Sequence, residues 1–501
     1  MKQLDGGTVI IGSGVAGTLV AKELIRRGQR CTIVERGAHV PWEVQRRERR
    51  WEADDGTSRH SHENDESEVD HPWTYVYAVG GSCNRWAGTC PRFLPEDFEM
   101  RSRYGVMRDW PISYAELAPH YLSAERALGV AGAANAFTPD TDYPQPPHPL
   151  SRQDRAIAPH LGPVVPLAQA RPTRAVGGRA ACCASGRCQL CPVDARFSVL
   201  NALRDVLESP LVELLTGTVA ARLVTARSGR VVEAVECVRE DGERLLVHGE
   251  RFVLAANGIE SPALLLRSGI DTEDTGRFLF DHRNAKLLVP TRMDVGPGHG
   301  NSLATGASYA YYSGSFRSRR AAVLIVPFNP GPPTMLDGVV GRLLDGTRGP
   351  RLRREVAAEW RRTLALDLYL DDLPDRANGV RLSPRKDSLG LPRTVVRFRP
   401  PTTYLRSAVR HLLDDVPRRL RPLGAREARY QPAPQGAHLL GTLRMGGAGD
   451  GVVDSDQRHR ARENVFVAGG AVFPTYSPTH PTLTLAALSI RLGRTLARGS
   501  A

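Results

Sequence analysis

The chain has 501 residues, a formal net charge of +13, 41% hydrophobic and 24% charged residues. That composition excludes a disordered chain, a collagen-like fibre and a small disulfide scaffold. No uninterrupted apolar stretch approaches the ~20 residues of a helical membrane span, and at roughly 100–200 residues per domain the length fits two to four domains or one large composite fold.

The charge is carried by arginine: Lys2, Lys22, Lys286 and Lys386 are the lysines among 67 basic residues. Such a skew reads as codon bias rather than phosphate binding. No zinc-finger spacing, RNA-binding signature or basic zipper accompanies it, so nucleic acid is not expected as a partner. The most basic stretch, 348–362, has helix-like composition from Arg351 to Arg362. It reads as a solvated helix face, with an acidic partner as the alternative. Without a secretory n-region and h-region or a twin-arginine signal, a cytoplasmic protein is expected.

In chain order, Thr8-Val9-Ile10-Ile11 predicts a strand, Gly12 to Gly17 a glycine turn, and Thr18 to Ile25 a helix. Gln29 to Glu35 predicts a second strand ending in an acid. Residues 52–71, polar and acidic with His60, His62 and His71, predict a mobile surface lid; their spacing has no zinc-like order. A second glycine turn runs from Gly80 to Trp86, and 136–180 reads as irregular, rich in Pro, Gly and Ala. The runs Val212–Leu215, Arg230–Val235 and Arg251–Ala256 predict an antiparallel excursion. Between 284 and 425, strand candidates are Lys286–Val289, Ser308–Tyr312, Ala321–Phe328 and Leu364–Leu370, with an Asn378-Gly379 turn between strands. The chain then returns to a strand at Asn464–Val467 and a helix at Leu483–Ala497.

Gly12-x-Gly14-x-x-Gly17 alone is a weak signal, but its context is specific. It follows a strand and opens a helix, and Glu35 closes the next strand. Gly12 permits the tight turn, Gly14 a close backbone approach to a pyrophosphate, and Gly17 close helix–strand packing. The pyrophosphate sits at the helix N-terminus and Glu35 accepts from ribose hydroxyls. An acid there favours FAD or NAD over NADP.

The other segments carry a resemblance. Gly80-Gly81-Ser82-Cys83-Asn84-Arg85-Trp86-Ala87-Gly88, Asp109-Trp110-Pro111-Ile112-Ser113-Tyr114, Ala255 to Pro262, and Gly276 to His282 (GR-x-L-x-DH) stand in order. Asp372-Leu373-Pro374 with Asn378 to Leu382, Gly436 to Thr442, Gly469 to Thr475 and Thr479 to Thr484 follow. Together they resemble the motifs of glucose–methanol–choline (GMC) oxidoreductases, FAD-dependent alcohol dehydrogenases and oxidases, along the whole chain. The resemblance implies an α/β fold: a Rossmann-like FAD-binding domain with an interleaved α+β substrate domain on a mostly antiparallel sheet. The expected boundaries are 1–110, 195–285 and 426–501 for the FAD domain, and 111–194 and 286–425 for the substrate domain, which holds the Cys-rich segment 182–191.

The same resemblance implies FAD held by Gly12, Gly14, Val15, Ala16, Gly17, Glu35, Arg36, Gly80, Gly81, Ser82, Asn84, Trp86 and Ala87. Val219, Ala256, Gly470, Ala471, His480, Pro481 and Thr482 complete the set. It implies His438 as the base for a substrate hydroxyl and His480 as its partner, roles that the two can exchange. A neutral imidazole suits that task near neutral pH. Arg85 stands where pyranose-oxidase-like members carry a flavin-linked His, so non-covalent FAD is expected.

Of eight cysteines, four fall in Cys182-Cys183-x4-Cys188-x2-Cys191-Pro192. In a presumed cytoplasmic protein such density argues for a metal or redox role. Adjacent cysteines suit zinc poorly, and the Cys-x2-Cys-Pro ending is similar to iron–sulfur ligation. Similarity to family sugar dehydrogenases implies Cys182, Cys183 and Cys188 as iron–sulfur ligands; buried thiols, a disulfide or zinc remain open. The expected chemistry is oxidation of a CH–OH group on a polyol, sugar, glycoside or aminoglycoside-like substrate, with hydride passing to the flavin. Dioxygen, a quinone or a redox protein would take the electrons. The alternatives are a steroid or aliphatic alcohol substrate, or a lyase or other non-redox enzyme on the same scaffold.

Overall fold

Thr8–Ile11 and Cys31–Val34 are buried at every position, as continuous apolar strands are when helices cover both faces of a parallel sheet. In the computed structural model, which describes residues 2–47, 62–63, 69, 71, 73–186, 188, 191–296, 303–329, 336–433 and 436–499, these strands are central to a five-stranded sheet. Its order is Val465–Val467, Arg251–Leu254, Thr8–Ile11, Cys31–Val34 and Val212–Leu215, all parallel. The helix Val15–Ile25 lies against the C-terminal helix Thr482–Arg498. Gln29 donates to Ala497 O at 3.0 Å and Arg494 pairs with Glu23 at 3.2 Å. Segments far apart in the sequence thus meet in one half of the fold.

Two of the three runs expected to form an antiparallel excursion are parallel strands of this sheet. Only Val232–Arg239 lies in an antiparallel meander, between Thr218–Thr225 and Arg244–His248, with Lys2–Asp5 joined parallel at its edge. Alternation identifies a strand but not its neighbour, which is chosen by long-range packing.

The second large sheet has six antiparallel strands, in the order Arg429–Pro432, Ala285–Pro290, Thr363–Leu370, Val323–Pro327, Gly306–Tyr311 and Val164–Pro166. One face buries Leu364, Leu366, Leu368 and Leu370 beneath the helices Thr403–Arg419 and Arg152–Leu161. The other carries Tyr369 toward the first half. Arg429–Pro432, inside the stretch expected to belong to the FAD domain, pairs with this sheet instead.

The helix Arg152–Leu161 lies within the stretch expected to be irregular. A capping box starts it: Ser151 N–H donates to Asp154 Oδ2 at 2.7 Å, and Asp154 N–H donates back to Ser151 Oγ at 3.1 Å. Asn378-Gly379 is not a hairpin tip; Gly379 begins the strand Gly379–Lys386, whose hairpin with Pro392–Arg397 turns at 387–391. The basic stretch forms the helix Gly349–Arg361, without a buried residue. Among the described residues no helix is long and apolar enough to cross a membrane.

Candidate active site

A cleft of about 730 Å³ opens at the carboxyl end of the central sheet, between the two halves. Its floor is the fingerprint turn. Gly12 has φ +106°, and a Cβ on Gly17 would meet Gly12 O at 2.0 Å, so any side chain there would push strand and helix apart. A Cβ on Gly14 would meet nothing, and no side chain caps the helix that follows. The helix Thr482–Arg498 also begins without a side-chain cap, and Pro481 and Thr482 line the same cleft. Two uncapped helix N-termini facing one cleft suit a ligand rich in anionic or acceptor oxygens.

The second glycine turn docks on the first. Gly81 approaches Gly14 so closely that a Cβ would lie 3.2 Å from Gly14 Cα, and Gly80 N–H donates to Ser13 Oγ at 3.1 Å. Glu35 accepts from Ser13 N at 3.0 Å, from Ser13 Oγ at 2.6 Å and from Gly37 N at 2.7 Å. Burial pushes its carboxyl up, against these hydrogen bonds, which favour the charged form.

Most of the sequence-derived cofactor set lines the cleft: Gly12, Gly14, Val15, Ala16, Glu35, Arg36, Gly81, Ser82, Trp86, Ala87, Val219, Ala256, Gly470, His480, Pro481 and Thr482. Gly17, Gly80, Asn84 and Ala471 do not; they hold the turns behind it. Asn84, for example, donates to Val79 O at 2.9 Å. The end near Glu35 contains residues that sequence reasoning missed. Arg36 lies 4.3 Å over the Tyr77 ring, Tyr77 Oη donates to Glu260 at 2.9 Å, and Arg267 closes the wall. Glu260 lay inside a quoted motif; nothing local marked Tyr77.

At the far end His438 and His480 line the cleft with ring centroids 5.8 Å apart. His480 lies 4.1 Å from the Tyr369 ring, and its Nδ1 is buried without a hydrogen-bond partner. Behind His438, its Nδ1 is 2.8 Å from His282 Nδ1, and its backbone N–H donates to Asp281 Oδ1 at 3.0 Å. His71 Nε2 meets Asp281 Oδ2 at 2.9 Å. His71 is therefore not part of a surface lid: it is buried against Trp73 and Phe398. His60 and most of 52–71 lie outside the described residues, and for His62 only the strand position is described.

Burial pushes the imidazoles of His438 and His480 down. Asp281 opposes the effect at His438, while the neighbouring imidazoles add to it at His480. Burial and His438 bring His282 to about 3. Burial alone would raise Asp281, but the hydrogen bond from His71 and the surrounding imidazoles outweigh it and hold the carboxyl low. All three imidazoles are thus neutral at pH 7, beside a carboxylate.

The four clustered cysteines are unpaired: Cys182 is half-buried, Cys183 exposed, Cys188 and Cys191 buried. The Cys188 sulfur accepts from Arg171 at 2.6 Å and the Cys191 sulfur from Ala195 N at 3.2 Å. No three of these sulfurs lie within 4.8 Å of one another; among the described residues only Asp281, His282 and His438 bring ligand atoms that close. The segment adjoins the second glycine turn, because buried Arg196 donates to Asn84 O and Cys188 O at 2.8 Å and to Trp86 O. Cys83 lines the cleft, donates to Gly80 O, and is pushed up to about 11 by burial.

GMC oxidoreductase profiles match residues 167–284 and 374–489. The chain is 32% identical to 6'''-hydroxyparomomycin C oxidase of Streptomyces lividus, over 97% of this chain and 90% of the relative. It is 30% identical to paromamine 6'-oxidase of Streptomyces fradiae (98% and 91%) and 28% to the fructose dehydrogenase large subunit of Gluconobacter japonicus (97% and 97%). The crystal structure of pyridoxine 4-oxidase from Mesorbium loti has the same fold, with a TM-score of 0.68 at 21% identity over 98% of this chain and 99% of that one. With its two glycine turns joined through Ser13 and its paired histidines at the far end of one cleft, the chain belongs to the GMC oxidoreductase family.

Proposed function

We propose that this protein oxidises a CH–OH group of a sugar-like substrate, an amino sugar or glycoside included, with non-covalent FAD lying along the cleft. FAD, when bound, accepts the hydride. The two uncapped helix N-termini and the open space over Gly14 fit its pyrophosphate and pyrimidine ends, and Glu35 fits its ribose. The observation that carries the assignment of roles is the asymmetry of the two histidines. His438 is backed by His282 and lies 3.5 Å from the Asp281 carboxylate, whereas the Nδ1 of His480 has no partner. His438 takes the hydroxyl proton, since the adjacent carboxylate stabilises the imidazolium that forms. His480, kept neutral by burial, orients the hydroxyl. The relatives named for acting on fructose and aminoglycosides support a polar substrate over a steroid or aliphatic alcohol.

Cys182, Cys183 and Cys188 are the proposed ligands of an iron–sulfur cluster that would relay electrons onward. What supports this reading is the likeness of the Cys-Cys-x4-Cys segment to that of family sugar dehydrogenases; no three of these sulfurs lie within 4.8 Å of one another, which argues against a single zinc ion. About three iron and a similar amount of acid-labile sulfide per chain support that part; sub-stoichiometric iron in freshly purified yellow protein overturns it.

Anaerobic bleaching of the holoenzyme flavin against sugars, glycosides, amino sugars, long-chain alcohols and sterols tests the main reading. Bleaching by members of the first three groups is expected. Bleaching by sterols or long-chain alcohols alone overturns the substrate class, and no bleaching by any alcohol overturns the redox chemistry in favour of a lyase.

A further inference from the structure

Asp281 and His282 close the GR-x-L-x-DH turn, and the fold carries both to the back of the His438 ring, 156 residues further along the chain. We propose that His282 is a positioning residue that holds His438 in the one tautomer able to act as a base, with Asp281 as the fixed counter-charge. The proposal rests on His438 being the base.

Hydrogen-bond chemistry dictates the tautomer. His282 Nε2 lies 2.5 Å from Ser477 O, and a carbonyl oxygen only accepts, so Nε2 carries the hydrogen. His282 is fully buried and neutral, so its Nδ1 is a bare lone pair. The 2.8 Å contact between the two Nδ1 atoms needs one hydrogen, and only His438 can supply it. His438 is then protonated on Nδ1, and Nε2 is left as the basic atom in the cleft that His438 lines. The opposite tautomer would set two lone pairs against each other in a buried site.

The carboxylate completes the arrangement. Asp281 Oδ1 anchors the His438 main chain at 3.0 Å and lies 3.5 Å from its Nδ1, while Oδ2 is taken up by His71. When a substrate O–H bond breaks and an N–H bond forms at Nε2, the new positive charge faces a carboxylate that stays ionised. The Nδ1 hydrogen remains in the bond to His282, so no proton moves to Asp281. Ser477 lies on the loop just ahead of His480, so one loop both fixes the tautomer and presents the second histidine.

The groups facing His438 are Asp281 with His71 behind it, His282, and His480; around these, the Tyr369 ring lies 4.1 Å from His480 and the Tyr476 ring 5.4 Å from His282. Arg283 adds its positive charge near Asp281. The test compares His282→Ala, which removes the acceptor, with His282→Asn, whose Oδ1 can replace it. His282→Asp supplies a charged acceptor, and His438→Asn is the control. His282→Ala should slow limiting anaerobic flavin reduction by about 10²-fold or more with little change in apparent substrate affinity, since a mis-set tautomer in a comparable hydrogen-bonded base costs up to about 10⁴. His282→Asn should stay within about tenfold of the parent. His282→Asp should move the acid limb of the reduction rate to higher pH, because a second negative charge raises the His438 pKa.

Equal losses in the Ala and Asn variants, or an Ala variant as fast as the parent, overturn the proposal. If His438→Asn also leaves the rate unchanged, it is the base assignment that fails. Should His282→Ala not fold or not hold FAD, long-range ¹H–¹⁵N spectra of histidine-labelled parent holoenzyme decide. His438 protonated on Nδ1 supports the inference, and His438 protonated on Nε2 overturns it.

Discussion

Two groups of reactive side chains in this chain differ in opposite ways. The cysteines at 182–191 are dense in sequence, yet no three sulfurs come within 4.8 Å of one another. His71, Asp281, His282, His438 and His480 are scattered over some four hundred residues, yet they gather at and behind the far end of one cleft. Density along the chain reports what a short loop can hold, whereas convergence in space reports what topology assembles. In this fold the geometry of the histidine network comes from topology. One segment, running from helix Asn257–Arg267 into strand Ala285–Pro290, carries Asp281 and His282 to the ring of His438, which comes 156 residues later.

The comparison is most easily broken at His438. His438→Asn should lower the limiting rate of flavin reduction by about 10³-fold, within the 10²–10⁴ range of general-base contributions, while visible absorbance reports unchanged FAD occupancy; a loss under tenfold would remove the histidine network from the chemistry. Asp281→Asn should cost about 10- to 100-fold and move the acid limb to lower pH, because the charge that raises the His438 pKa is gone. In the parent enzyme that limb lies below the ordinary imidazole value, since burial depresses His438. The reduction rate should therefore be flat from pH 7 upward, and stopped-flow traces between pH 4.5 and 8 read both effects.

Stability should follow the same direction. The folded-state pKa values of His282, His438 and His480 are depressed, so the unfolded chain binds protons first as pH falls through the ordinary imidazole range. Their contribution to stability is present above that range and is lost below it, so the melting temperature should fall between pH 7 and pH 5. A melting temperature that rises over this interval would contradict the neutral buried triad. The smallest effect concerns the cysteines: metal analysis should find no stoichiometric zinc, and one zinc per chain would mean the sulfurs converge more tightly than described.

What the sequence disclosed follows the same division. The fingerprint from Gly12 to Gly17 and the acid at Glu35 were legible because their geometry is local: a turn, an uncapped helix start and the end of the next strand. The roles of His71 and His282 were not. Asp281-His282 was visible as a motif, but its task depends on Ser477 and His438, far along the chain, and His71 looked like one polar residue among many until its partner at Asp281 was known. The helix at 152–161 was hidden by its proline-rich surroundings, although the Ser151–Asp154 capping box marks its start. The neighbours of Val212–Leu215 and Arg251–Leu254 were not legible, since alternation carries no information about which strand lies alongside.

The pairing of helix Val15–Ile25 with helix Thr482–Arg498 has a consequence for the chain during synthesis. The fingerprint unit is made well before its partner, and its apolar helix face waits for a helix that lies several hundred residues further along. Until then neither the second uncapped helix start nor either of the two cleft histidines, His438 and His480, exists. A dinucleotide that touches both ends binds only the completed fold and stabilises it by mass action, so it serves as a late clasp. Cells short of flavin should therefore accumulate a chain that is synthesised normally but is cleaved early, around the helices Val15–Ile25 and Thr482–Arg498.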